Sequence, residues 1–164
     1  MNKGRVIEEA AIVFERDLPT SPEKAWAFLT EPSRLAEWYG EALIEPSEGG
    51  KIEMMGGHIR GVITGWRPHQ FLAHTWNVFQ PGEAVSPWPV TYLEFALVPL
   101  GATTRLALTH RPIPARMQPQ TMMGWHTFLD MLDAGARGEK VQARDITMQT
   151  NAKLYGVDLN NRQR

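Results

Sequence analysis

Between Leu43 and His110 the chain is punctuated by turn chemistry at short intervals, at Gly49-Gly50, Gly56-Gly57, Arg67-Pro68, Gln80-Pro81-Gly82 and Leu100-Gly101. Gly supplies positive φ and Pro a preset φ, so each cluster marks a turn. The segments between them are of strand length and leave no room for the helical crossovers that parallel strands require. The run therefore predicts an antiparallel meander, with strands near 42–46, 51–56, 59–66, 71–78, 89–98 and 103–110. The last two form the clearest hairpin, with Leu93, Phe95 and Leu97 opposing Leu106 and Leu108. Gly61 and Gly65 fall inside a strand pattern, the signature of a bulge or bend, and a bending sheet builds a concave wall.

The flanks read differently. From Ala10 to Leu18, Ile12, Phe14, Arg16 and Leu18 alternate with Val13, Glu15 and Asp17, which predicts a first strand. Ser21 then offers an N-cap, Pro22 a first helical position and Glu23 an acidic first turn, with Ala25, Trp26, Phe28 and Leu29 as the buried face. Pro32 interrupts this helix, Ser33 recaps a second short one carrying Leu35, Trp38 and Tyr39, and Gly40 ends it. Beyond Arg111-Pro112-Ile113-Pro114 the period changes: Met122, Trp125, Leu129, Leu132 and Ala136 recur at three or four and predict a long helix over about 118–139. A weaker stripe of Ile146, Leu154 and Tyr155, stopped by Gly156, predicts a final helix.

At 164 residues the chain is expected to form one domain spanning 1–164, with a core over 10–138 and a C-terminal extension over 140–164. Seventeen Lys plus Arg against eighteen Asp plus Glu, without a run of like charge, argue against a nucleic-acid partner. The first eleven residues carry Lys3, Arg5, Glu8 and Glu9 and no continuous apolar stretch, so neither a signal peptide nor membrane insertion is expected and a cytoplasmic location is the default. Cysteine is absent, which removes disulfides and thiol chemistry. Six Trp and eight Met are left as the adaptable bulk with which an interior fills or lines irregular space.

Phe14-Glu15-Arg16-Asp17-Leu18 followed by Ser21-Pro22-Glu23-Lys24-Ala25-Trp26, and then Leu35-Ala36-Glu37-Trp38-Tyr39, resembles the opening of START-like (SRPBCC) domains related to the activator of the ninety-kilodalton heat-shock-protein ATPase. Gly49-Gly50, Arg60-Gly61, Thr75-Trp76, Thr104-Arg105-Leu106 through Thr109-His110, and Gly124-Trp125 with Leu129-Asp130 and Leu132 extend the likeness over about residues 10–138. The resemblance implies the α+β helix-grip fold, START-like and Bet v 1-like. In that fold a curved antiparallel sheet of six or seven strands wraps a long C-terminal helix, with two short helices after the first strand. In many relatives a pocket between sheet and helix receives an apolar ligand, but the superfamily also holds cyclases, hormone receptors and co-chaperones, and fold does not fix function. Two departures stand out. No counterpart of the extra N-terminal domain of the eukaryotic ATPase activators is expected in these residues, which puts a chaperone role in doubt, and residues 79–89 carry a Pro-rich insertion with Trp88 in it, a candidate lid.

The candidate ligand-binding set is Trp38, Trp76, Phe95, Leu106, Leu108, Met122, Trp125 and Leu129, expected to face inward from a short helix, the sheet and the long helix. Plain core packing is the competing reading for each of them, and Trp26 and Trp66 are assigned to packing. His74 shares strand parity with Leu72 and Trp76, and His110 with Leu106 and Leu108, so both are candidate catalytic bases or hydrogen-bonding groups of a ligand site; satisfied core histidines are the alternative. His58 and His69 fall in turns, and His126 lies about 100° round the long helix from Trp125. The five His show no metal-ligand spacing, and no nucleophile elbow, P-loop or dinucleotide motif occurs, so no metal or cofactor is expected. Arg16 on the inward parity of the first strand, if it points inward, calls for an anionic partner from a ligand carboxylate or from the protein, with Glu53 and Glu94 as candidates; an Arg snorkelling from the sheet edge is the alternative.

Three functional readings follow. The first is a binding domain for a small hydrophobic or amphipathic ligand. The second is a cyclase- or hydratase-like enzyme using a pocket His as general base, and the third a co-chaperone-type activator acting through its surface, with a homodimer compatible with any of them.

Overall fold

In the computed structural model, which describes residues 2–160, seven strands form a single sheet in the order β1-β7-β6-β5-β4-β3-β2, every neighbouring pair antiparallel. The strands are β1 (Ile12–Leu18), β2 (Ala42–Ile44), β3 (Lys51–Met54), β4 (Ile59–Arg67), β5 (Phe71–Val78), β6 (Thr91–Leu100) and β7 (Thr103–Arg111). Two short helices, α1 (Pro22–Thr30) and α2 (Pro32–Leu35), follow β1, and α3 (Gln118–Ala136) and α4 (Arg144–Tyr155) close the chain. This is the helix-grip arrangement. Met1 and residues 161–164 of the expected C-terminal extension lie outside the described residues.

Alternation along the strands sends one set of side chains to the concave face. Ile12, His110, Leu93, His74 and Ile63 lie in one row across five strands, and Phe14, Leu108, Phe95, Leu72 and Trp66 in the row beside it. The register shifts by one residue between Ile63 and Gly65 where β4 meets β5, so Thr64 is extra and β4 bends. The N–H of Val62 donates to the Thr75 hydroxyl rather than to a carbonyl. A Cβ on Gly61 would stand 1.8 Å from the Thr75 carbonyl oxygen, so the two backbones meet as closely as only glycine allows.

The Ser21 hydroxyl accepts from the Lys24 N–H at 3.3 Å and Pro22 opens α1, whose Ala25, Trp26, Phe28 and Leu29 are buried. The Ser33 cap does not form. Pro32 is itself the first residue of α2 and Glu31 takes the capping position without a side-chain bond, because a proline with no N–H to satisfy starts a helix as readily as it ends one. Trp26 meets Trp66 edge to face at 5.0 Å. The apolar stripe expected on the final helix is also corrected. Ile146 and Leu154 are exposed, whereas Asn151 and Ala152 are the buried residues of α4. Asn151 is drawn in by hydrogen bonds to Thr127 and Asp130 of α3, so polar partners set the rotation of this helix.

Candidate functional site

Between the sheet and α3 the large side chains meet one another. Tyr39 stacks on Phe128 with ring centroids 4.9 Å apart and planes 8° from parallel. Trp38 and Trp125 each meet both members of this pair edge to face, Phe95 adds its ring from β6 to Trp125, and His110 lies edge-on to both Trp76 and Trp125. Leu106, Leu108 and Leu129 are fully buried around them. The structure thus brings together Trp38, Trp76, Phe95, Leu106, Leu108, Trp125 and Leu129 from the expected set. Met122 is placed elsewhere. On α3 it shares a stripe with Gln118, His126 and Asp130, and it lines an open groove of about 420 Å³ with residues 10–14 of the β1 edge and Tyr155.

A directional hydrogen-bond chain crosses this aromatic interior. The Trp125 indole N–H donates to Nδ1 of His110 at 3.0 Å. An indole can only donate, so Nδ1 is the acceptor and the imidazole proton resides on Nε2. That proton faces the Thr91 hydroxyl at 2.7 Å, and Thr91 donates onward to the Trp76 carbonyl at 2.8 Å. Nearby, the Trp76 indole donates to the Tyr39 hydroxyl at 3.0 Å, and the Trp38 indole to the Phe28 carbonyl at 2.9 Å. His74 turns Nδ1 to the Thr75 carbonyl at 2.7 Å, which requires the proton on Nδ1 and leaves Nε2 as its basic atom.

Burial dominates the electrostatics. It pushes His74 down to about 4, only partly offset by the Thr75 carbonyl, and it pushes His110 down to about 3, with the neighbouring His74 acting in the same direction. Both imidazoles are therefore neutral at physiological pH. Burial raises the Tyr39 hydroxyl well above the ordinary phenol range, so it too is neutral. Both nitrogens of His110 are engaged within the protein. The whole set is suited to orienting a neutral polar group within an apolar space.

Outside this cluster, His58 and His69 lie exposed in turns. The anionic partner of Arg16 is neither Glu53 nor Glu94 but Asp130 of α3, at 2.9 Å. Asp130 also receives Asn151, while His126 reaches the Tyr155 hydroxyl at 2.7 Å and meets the Phe14 ring edge-on. This joins β1, α3 and α4 at the sheet edge. The 79–89 loop is pinned rather than free: the Ser86 hydroxyl contacts Asn77 and Val78 and accepts the Trp88 N–H, and Arg60 covers the Phe79 ring at 4.3 Å. Trp88 is half-buried within it. Sequence reading missed Tyr39, Phe128 and Thr91 as members of the interior set. Phe128 was legible as the residue three beyond Trp125 on the same helix face, whereas Thr91 carried no signal.

The sequence profile of one protein family, described as Activator of Hsp90 ATPase homolog 1-like protein, matches residues 19–136. No curated protein matches the chain significantly. Among solved structures, CalU16 from Micromonospora echinospora is similar with a TM-score of 0.71 at 23% identity, covering 89% of this chain and 86% of that one. Protein MLL2253 from Mesorhizobium loti is similar with a TM-score of 0.64 at 25% identity, over 76% of this chain and 94% of that one. PFC0360w, an HSP90 activator from Plasmodium falciparum, gives 0.66 at 20% identity, over 76% and 94%. At such identities the structural likeness establishes the fold.

Proposed function

From the premise that the chain belongs to the Activator of Hsp90 ATPase homolog 1-like family of START-like domains, we propose that it binds a small apolar or amphipathic ligand between the concave face of the sheet and α3. One observation carries this reading. The hydrogen-bonding groups of Tyr39, Trp76, Thr91, His110 and Trp125 sit within an aromatic cluster whose outer members, Trp76 and Met55, are only half-buried. Ligand sites combine apolar walls with a few placed polar groups, whereas a core selected for stability alone gains little from a buried polar chain. The rings fill the space here, so a ligand enters by displacing Met55 and swinging Trp76 off the Tyr39 hydroxyl, over a floor of Phe95, Leu106, Leu108 and Leu129. Met is the side chain best able to repack at such a rim.

Native mass spectrometry of protein purified gently from its source tests the reading, together with the indole N–H resonances of Trp76 and Trp125. The expected result is a small apolar adduct, and indole signals that shift when the compound is added back to stripped protein. Absence of any adduct, with both indole signals unmoved by a panel of apolar compounds, would reduce the cluster to a filled core.

A further inference from the structure

We propose that Arg144 anchors the anionic head of this ligand, so that the domain selects an apolar carboxylate over its neutral analogue; the inference rests on the apolar-ligand reading above. Arg144 is the first residue of α4 and is exposed, yet its side chain reaches back across the edge of the aromatic cluster. Its guanidinium lies 3.2 Å from the Met55 thioether on the turn between β3 and β4, and 5.3 Å from the centre of the Phe128 ring. Phe128 is the ring that stacks on Tyr39, and the Arg144 charge is felt at the buried Tyr39 hydroxyl. The cation therefore stands at the half-buried Met55, where a ligand must pass.

What it lacks is a carboxylate. Among the described residues Arg16, Arg34, Arg105 and Arg137 each hold an acidic partner, whereas Arg144, like Arg5, Arg60, Arg67, Arg111 and Arg116, holds none within ion-pair distance. Glu41 reaches the neighbouring Gly56 without pairing, and Asp145 directs an oxygen to the Ile146 N–H. Other arginines also lie over rings, but among the described residues only Arg34 and Arg144 do so on rings of the buried cluster, and Arg34 is neutralised by Glu37. A thioether is a weak acceptor, so most of the guanidinium fork is available, and that fork matches a carboxylate in shape as well as charge. Holding the charged head at the rim leaves it partly hydrated while the apolar body enters among the rings, which avoids the penalty of burying an ion.

Calorimetric titration at neutral pH with naphthylacetate and naphthylethanol, matched in ring size and differing in charge, tests the assignment. The wild type is expected to bind naphthylacetate about tenfold tighter than naphthylethanol. Arg144→Gln should bind the two equally, at the affinity of the alcohol, and Arg144→Lys should keep part of the preference because it retains charge without the fork. Melting temperatures of the variants should match the wild type, since the side chain is exposed. Equal affinities in the wild type, or a preference that survives Arg144→Gln, would overturn the anchor while leaving an apolar site standing. Failure of the wild type to bind either compound would remove both the site and its anchor.

Discussion

The indole of Trp125 donates to Nδ1 of His110 at 3.0 Å, so a side chain of α3 fixes the tautomer of a buried histidine on β7. Because Nε2 must then carry the proton, the polarity of the whole line through Thr91 to the Trp76 carbonyl follows from a single donor that has no alternative.

Replacing that donor tests the arrangement. Trp125→Phe keeps an aromatic ring but leaves a buried imidazole lone pair unsatisfied and a small void, so a loss of about 2 to 4 kcal/mol is expected in urea unfolding. Combining it with His110→Leu, which removes the lone pair, should cost less than the sum of the two single changes, by about 1 kcal/mol. Strict additivity would mean that the bond contributes nothing.

Acid should weaken the fold earlier than its carboxylates alone would dictate. The folded-state values of His74 and His110, about 4 and about 3, lie below the ordinary 6.5, so the unfolded chain takes up both protons first. Their contribution is complete above that ordinary value and is lost as pH falls through the window toward the folded values, by on the order of 1.4 kcal/mol per pH unit for each imidazole. Denaturant midpoints measured between neutral pH and the folded value of His74 check this, and His74→Gln should give a shallower decline than the wild type.

Gly61→Ala places a methyl group on the Thr75 carbonyl of the facing strand, which backbone motion alone can relieve. A loss of at least about 2 kcal/mol is expected, together with weakened amide protection along β4 and β5 in hydrogen exchange. Gly82→Ala has no neighbouring atom to meet but sits at positive φ, so it should act only through local backbone strain, without loss of protection in the sheet.

Asp130 accepts from Arg16 of β1 and from Asn151 of α4. Removing the carboxylate with Asp130→Ala should cost about 1 to 2 kcal/mol, because the pair is only partly shielded from water, and should loosen α4 first. Limited proteolysis within residues 137–160 measures that loosening; resistance equal to the wild type would show that α4 is held by other contacts.

Strand alternation, the turn residues and the long helical stripe were legible in the sequence because each is a local regularity. Side chains at period two must share a face, and Gly or Pro must interrupt a ladder. That is why the meander, the bend near Gly65, the inward parity of His74, His110 and Arg16, and the resemblance over residues 10–138 could all be read from the chain. Local order says nothing of which distant group an inward side chain meets. Asp130 as the partner of Arg16, Thr91 as the partner of His110, and Met122 turned to the β1 edge depend on how α3 is rotated against the sheet. The same holds for α4, where hydrogen bonds from Asn151 outweigh the exposed Ile146 and Leu154 in setting which side faces in. The sequence determined the elements and, along the strands, the faces they present. Tertiary packing alone decided the pairings, since a hydrogen bond or ion pair between residues far apart in the chain exists only once the backbone has brought them to within about 3 Å.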